Sequence, residues 1–139
     1  MRDTIRGWLA GDATLMGWLT GGLYAGTEIS RQGTPAAFDA NSEVLPCGLV
    51  HLETQAPHGP YDTSARLFLT VICYQRAGYD VIDAALDEVY VRLHGGRAGV
   101  VSGVWEVRQV DDSPDLADQG LGCAMRYSRY EVVRLRGTE

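Results

Sequence analysis

Residues 66–75, RLFLTVICYQ, constrain this chain more than any other stretch. Leu67, Leu69, Val71 and Cys73 alternate with Phe68, Thr70, Ile72 and Tyr74. An extended backbone therefore turns apolar or aromatic side chains to both faces. Such a segment needs cover on both sides, which predicts a central strand. A hinge at residues 76–79 follows, and then a second pattern takes over. Ile82, Ala85, Leu86, Val89 and Leu93 step by three and four along one face, while Asp83, Asp87, Glu88 and Arg92 point elsewhere. That is an amphipathic helix. Asp80 is expected to cap it, Asp83 to complement its dipole, and Gly95-Gly96 to end it.

The remaining segments build around this unit. The first twenty or so residues read as helix in one or two pieces, with Ile5, Trp8 and Leu9 on one face and Leu15, Met16 and Leu19 on another. Asp3 or Thr4 can cap the first piece and Asp12 the second. Gly11 bends or breaks the helix and Gly21-Gly22 stops it. A short strand is expected over residues 23–29 and another over 47–54, with QAPHGPYDTS as an exposed connection. Residues 30–46, SRQGTPAAFDANSEVLP, hold few core residues and read as a long loop, a contact surface or a segment ordered by a partner. A strand over 100–110 is anchored by Trp105. DDSPDLADQGLG is a polar turn, and 123–135 is a last long strand with both faces mixed. The sum is α+β: a mainly antiparallel β-sheet with an N-terminal helix and a second helix packed on it.

With 139 residues, 45% of them hydrophobic and 22% charged, one domain can bury its own core without staples. No apolar run approaches the ~20 residues that cross a bilayer, and MRDTIRGWLAGD lacks the apolar centre of a signal peptide. This reading places synthesis in the cytoplasm. A net charge of -6 argues against nucleic acid as the main partner. All twelve basic residues are arginine. Cys47, Cys73 and Cys123 form no CxxC pair and fit reduced, partly buried thiols.

The sequence offers little chemistry. His51, His58 and His94 stand at no metal-ligand spacing and read as structural or surface histidines; a helix dipole accounts for His94. Gly21-Gly22 and Gly95-Gly96 belong to no phosphate-binding motif, and Ser64, Ser102 and Ser113 have no nucleophile-elbow context. Cys73 reads as a small core residue. No catalytic residue, cofactor or metal ligand is assigned. Asp111, Asp112, Asp115 and Asp118 are the densest acidic group, but Pro114 interrupts it and no calcium-loop pattern is present, so it reads as a hairpin tip. Arg126, Arg129, Arg134 and Arg136 follow. By strict alternation Arg126 and Arg134 share a face, and Arg129 joins them only if the strand bulges near Ser128 or Arg129. Patches of opposite sign on one subunit can pair between identical neighbours, so these acids and arginines are the expected subunit interface.

The ordered set of segments resembles a known family. An N-terminal helix ending in LTGGLYA, a loop with TPAAF, the strand RLFLTVICYQRAGYD running into VIDAALDEVYVRLHG, and the strands GVWEVRQVDD and GCAMRYSRYEVVRLR resemble the small tail-completion and tail-terminator proteins of long-tailed bacteriophages. The resemblance spans nearly the whole chain. It implies a structural virion protein that is not an enzyme. It would form a homo-oligomeric ring, commonly a hexamer, at the head-proximal end of the tail tube. There it would stop tube growth and dock to the head-tail connector. The implied partners are itself, the tail tube protein and connector proteins, with DNA passing through unbound and no membrane involved. A head-completion or neck protein would look similar. A small α+β ligand-binding or enzyme domain is the alternative from another class, and a convergent pocket would favour it.

Overall fold

The computed structural model describes residues 2–57, 64–94 and 104–135. Helices α1 (Arg2–Ala10) and α2 (Ala13–Trp18) lead into β1 (Leu23–Ala25). β2 (Cys47–Pro57) and β3 (Ser64–Gln75) follow, then α3 (Asp80–Leu93), β4 (Val104–Asp112), β5 (Leu116–Asp118) and β6 (Cys123–Leu135). They form a six-stranded sheet in the order β1-β2-β3-β6-β4, with β5 also pairing β6. β1 runs parallel to β2, and every other pairing is antiparallel. This is the expected α+β class.

The helices cover one face. Leu67, Leu69, Val71 and Cys73 of β3 are fully buried there against Ile82, Ala85, Leu86, Val89 and Leu93 of α3 and Ile5, Leu9, Leu15 and Leu19 of the first helices. Each valine, leucine and isoleucine among them contributes roughly 1.5–3 kcal/mol by leaving water. α1 lies over β1 and β2, and α3 over β3, β6 and β4. Asp12 caps α2, its carboxylate accepting from Thr14 N at 3.2 Å. The expected caps Asp3 and Thr4 have side chains outside the described residues. Past α2 the chain must turn tightly against the start of β2. Gly21 N donates to Pro46 O at 2.7 Å, and a Cβ at Gly21 would stand 2.9 Å from Leu45 Cβ. The double glycine is thus a close approach as well as a stop.

Residues 30–46 are better ordered by their own side chains than their composition implies. The Thr34 hydroxyl accepts from Ser30 N and donates to Ser30 O, and Ser30 Oγ accepts from Gly33 N. A 3-10 turn spans Pro35–Ala37, and Phe38 bridges to Val44. Ala37 and Val44 are buried with Ile29, Cys47, Leu49, Tyr74 and Cys123 in a second apolar cluster on the other sheet face. This segment is the cover that the second face of β3 requires. It reaches Tyr74 and Ile72 but not Phe68, which is half-buried at the far end.

Other expectations need correction. β1 is shorter than predicted, ending before Gly26. β2 runs to Pro57, so QAP is strand; its register slips between Leu52 and Thr54. His58 lies outside the described residues, as do Gly95-Gly96 and the first part of the predicted 100–110 strand. Trp105 is in β4, but its side chain is outside the described residues. The polar turn contains β5. Its interruption from β4 is bridged by Ser113, whose N–H donates to Tyr127 O at 2.9 Å and whose Oγ accepts from Tyr127 N at 3.0 Å. One hydroxyl thereby keeps the ladder satisfied where two strand segments meet.

Asp80 does not cap α3. Gly78, at φ +80, folds the hinge back, and Gln75 at the end of β3 reaches the helix start. Its Oε1 accepts from Val81 N at 3.1 Å and Ile82 N at 3.2 Å. Its Nε2 donates to Ala77 O at 2.9 Å and Asp80 Oδ1 at 2.7 Å. The strand thus caps the helix that follows it, locking the two together.

Candidate interaction surface

The bulge sought in β6 is in its partner. β6 keeps unbroken register with β3, whereas β4 slips between Val104 and Glu106 and between Gln109 and Asp111. The extra residue Val110 stands nearly half exposed on the sheet edge. The strict alternation of β6 resolves its two mixed faces. Ala124, Tyr130 and Val132 point to the helices, so Arg126 and the backbone position of Arg134 share that side. Arg129 belongs to the other face, above the Phe68 ring at 5.4 Å. The side chain of Arg134 lies outside the described residues, as does Arg136 altogether.

Some of the acid–arginine pairing closes within one chain. Arg126 Nη1 bonds Asp83 Oδ1 on α3, and its Nε lies 3.8 Å from Asp115 Oδ1 and 3.3 Å from Ser113 O. Arg129 Nη1 lies 3.8 Å from Asp111 Oδ2. Asp112 accepts the Ser128 hydroxyl proton, and Asp118 accepts from Leu121 N at 2.9 Å. So Asp111 and Asp112 belong to β4 and Asp118 to β5, not to one hairpin tip. Asp83 complements the dipole as expected and also anchors α3 to β6.

Between α3 and the β4 edge lies a cleft of about 230 Å³, lined by Leu86, Asp87, Tyr90, Gln109, Asp112 and Ser128, with Arg126 at its side. His94 closes its end. Its ring stacks on Tyr90 with centroids 4.6 Å apart, and its Nδ1 accepts from Gln109 N at 3.1 Å. The dipole account of His94 is therefore replaced by one in which the ring satisfies an edge-strand N–H. His51 is structural in the same sense, its Nδ1 donating to Gly26 O at 3.0 Å. Tyr130 is fully buried behind the cleft, and among the described residues its hydroxyl finds no partner of good geometry although it ends beside Ser128, Asp112 and Tyr90. Burial, with Asp112 nearby, raises its pKa, so it remains a phenol.

A second cleft, of about 360 Å³, lies between residues 27–31 and the turn from β5 to β6, with Tyr74, Asp118 and Leu121 in its wall. All three cysteines are buried and free. Burial is the main cause that lifts the Cys47 and Cys73 thiols to about 12 and the Cys123 thiol to about 11. They are core residues with no nucleophilic character at neutral pH. Among the described residues no group of His, Cys, Asp and Glu is placed to hold a metal ion, and no helix is long and apolar enough to cross a membrane.

The sheet and its helices have a counterpart among solved structures. A chain from the virion of the native gene transfer agent (GTA) particle superposes with a TM-score of 0.68 at 12% identity, over 97% of this chain and 94% of that chain. The two share a fold. No protein-family model and no curated protein matches the sequence. Sequence reasoning missed Gln75, Asp87, Tyr90 and Tyr130. Asp87 and Tyr90 of the cleft, and Tyr130 behind it, read as ordinary helix or strand positions until β4 is laid beside α3.

Proposed function

We propose that this chain is a structural subunit of a phage-like virion, without catalytic activity. It forms a ring, a hexamer by the family resemblance, at the head-proximal end of the tail tube. There it ends tube growth and docks the tail to the head connector. The observation that carries this reading is the fold likeness to a virion chain, which runs almost end to end in both. The two sheet edges support it. One is the short parallel strand β1 beneath α1; the other is the bulged β4 beneath α3. Such unlike edges suit a head-to-tail contact, which closes into a ring when the rotation permits. The neighbour-facing surface in this proposal includes Asp111, Asp112, Asp115, Asp118, Arg126, Arg129, Arg134 and Arg136. Assembly takes place in the host cytoplasm, and the finished protein resides in the virion neck.

The test is to image particles made without this chain. Tails of uncontrolled length detached from heads are the expected phenotype. Tails of normal length beside unjoined or leaking heads would overturn the terminator role in favour of a head-completion protein. Intact infectious or transducing particles would overturn both.

A further inference from the structure

We propose that Arg6 of one copy docks into the α3–β4 cleft of a second copy of this chain. The contact rests on the ring reading above and names the groups that would join neighbours. The cleft carries an acid surplus. Arg126 is already engaged by Asp83 and Asp115, whereas Asp87 and Asp112 have no arginine within ion-pair distance among the described residues. Behind this wall, and not lining the cleft, lies the buried Tyr130 hydroxyl, which has an acceptor position to spare among the described residues. Among these otherwise mostly polar lining residues stands an exposed aromatic ring, Tyr90, at 41%. Tyrosine and arginine are among the residues enriched at contact hot spots.

The complementary group stands at the opposite edge in the same layer. β1 is the first strand of the sheet and β4 the last on its main path. α1 lies over β1 as α3 lies over β4. Arg6 on α1 donates from Nε to Leu23 O of β1 at 2.9 Å, while the residue as a whole remains exposed. That bond fixes the guanidinium at the sheet margin and leaves its two terminal nitrogens for other acceptors. A planar fork of donors suits a carboxylate bidentately. Because donor and acceptor sit on opposite edges of one chain, the contact cannot close within a subunit, and a head-to-tail repeat carries it from copy to copy.

The test is a charge swap read by sedimentation velocity, with thermal melts to confirm folding. Arg6→Glu and Asp87→Arg are each expected to weaken association by about tenfold or more, and the double variant to recover most of it. A second measurement uses Arg6→Cys with Asp87→Cys and a short bis-maleimide, which the buried native thiols do not intercept. A ladder of cross-linked multimers is expected. Single variants that associate like wild type, or a cysteine pair that yields only monomer from assembled protein, would overturn this contact and leave the ring standing. A wild-type chain that stays monomeric both alone and in particles would overturn the ring and the contact together.

Discussion

Replacing Gln75 by alanine removes the clasp between β3 and α3. Two acceptor bonds go, to Val81 N and Ile82 N, and two donor bonds, to Ala77 O and Asp80 Oδ1. Loss of an N-cap side chain costs about 0.5–2 kcal/mol. The bond to a carboxylate adds more, because charged partners make the stronger hydrogen bonds. Both donor bonds are exposed, so water replaces them in the variant, and simple addition over-counts. The expected loss is about 1.5–3 kcal/mol, or a fall in Tm of about 4–10 °C for a chain of this size. Chemical denaturation followed by far-UV circular dichroism measures it. Acid sharpens the test. The Gln75 hydrogen bond is the first cause that holds the Asp80 carboxyl below its ordinary value of 3.8. A carboxyl depressed in the folded state stabilises above its unfolded pKa, and that stability is lost as pH falls through the folded pKa. The gap between wild type and Gln75→Ala should therefore narrow below pH ~4. A variant as stable as wild type at neutral pH, or a gap that widens in acid, would refute the reasoning.

Three further outcomes follow from the packing. Leu86→Asp places a charge in the α3 core and should cost about 3–5 kcal/mol; an unchanged melting curve would mean that this face meets water. Asp12→Ala removes the α2 cap and should cost about 1 kcal/mol by denaturant titration, with a neutral result denying the cap. The three cysteines should resist a disulfide-exchange reagent at pH 8 in the folded chain and all react once it is unfolded; prompt labelling of native protein would contradict their burial.

Long periodic segments were legible in the sequence. The two-sided run of β3 and the apolar stripe of α3 announced a central strand and a covering helix, because hydrophobic spacing over many residues leaves few alternatives. Short and non-local features were not. β5 has three residues and exists only because β6 continues past the end of β4. The α3 cap comes from Gln75, upstream of a glycine turn, whereas reading along the chain assigns it to the adjacent Asp80. Residues 30–46 looked poor in core residues because a handful of small apolar side chains suffices when Tyr74 and Cys123 arrive from other strands. The faces of β6 needed the third dimension too. Its alternation is regular, but Arg126 and Ser128 occupy the helix side, and the charge there is met by Asp83 of α3 together with Asp115 and Ser113 O.

Tyr130 tests whether the stability of the subunit is linked to its assembly. Burying a hydroxyl without a partner costs about 1–3 kcal/mol, so natural sequences seldom keep one without a reason. Tyr130→Phe removes the oxygen and keeps the ring that fills the core against Val132 and the helices. In the free chain the change should be neutral or stabilising by up to about 1 kcal/mol, because no bond is broken. In the assembled protein the prediction has the opposite sign. If docking of a neighbour's guanidinium on Asp87 and Asp112 draws Ser128 aside and so reaches this buried oxygen, the variant loses one acceptor in a dehydrated contact and association weakens. A thermal melt of the dilute monomer and sedimentation of the concentrated protein separate the two effects. A monomer destabilised by more than about 1 kcal/mol would show that the hydroxyl is already satisfied within one chain, by Ser128 or by water. A stabilised monomer that assembles as well as wild type would remove Tyr130 from the contact, and the acid surplus of the cleft would then have to attract Arg6 without it.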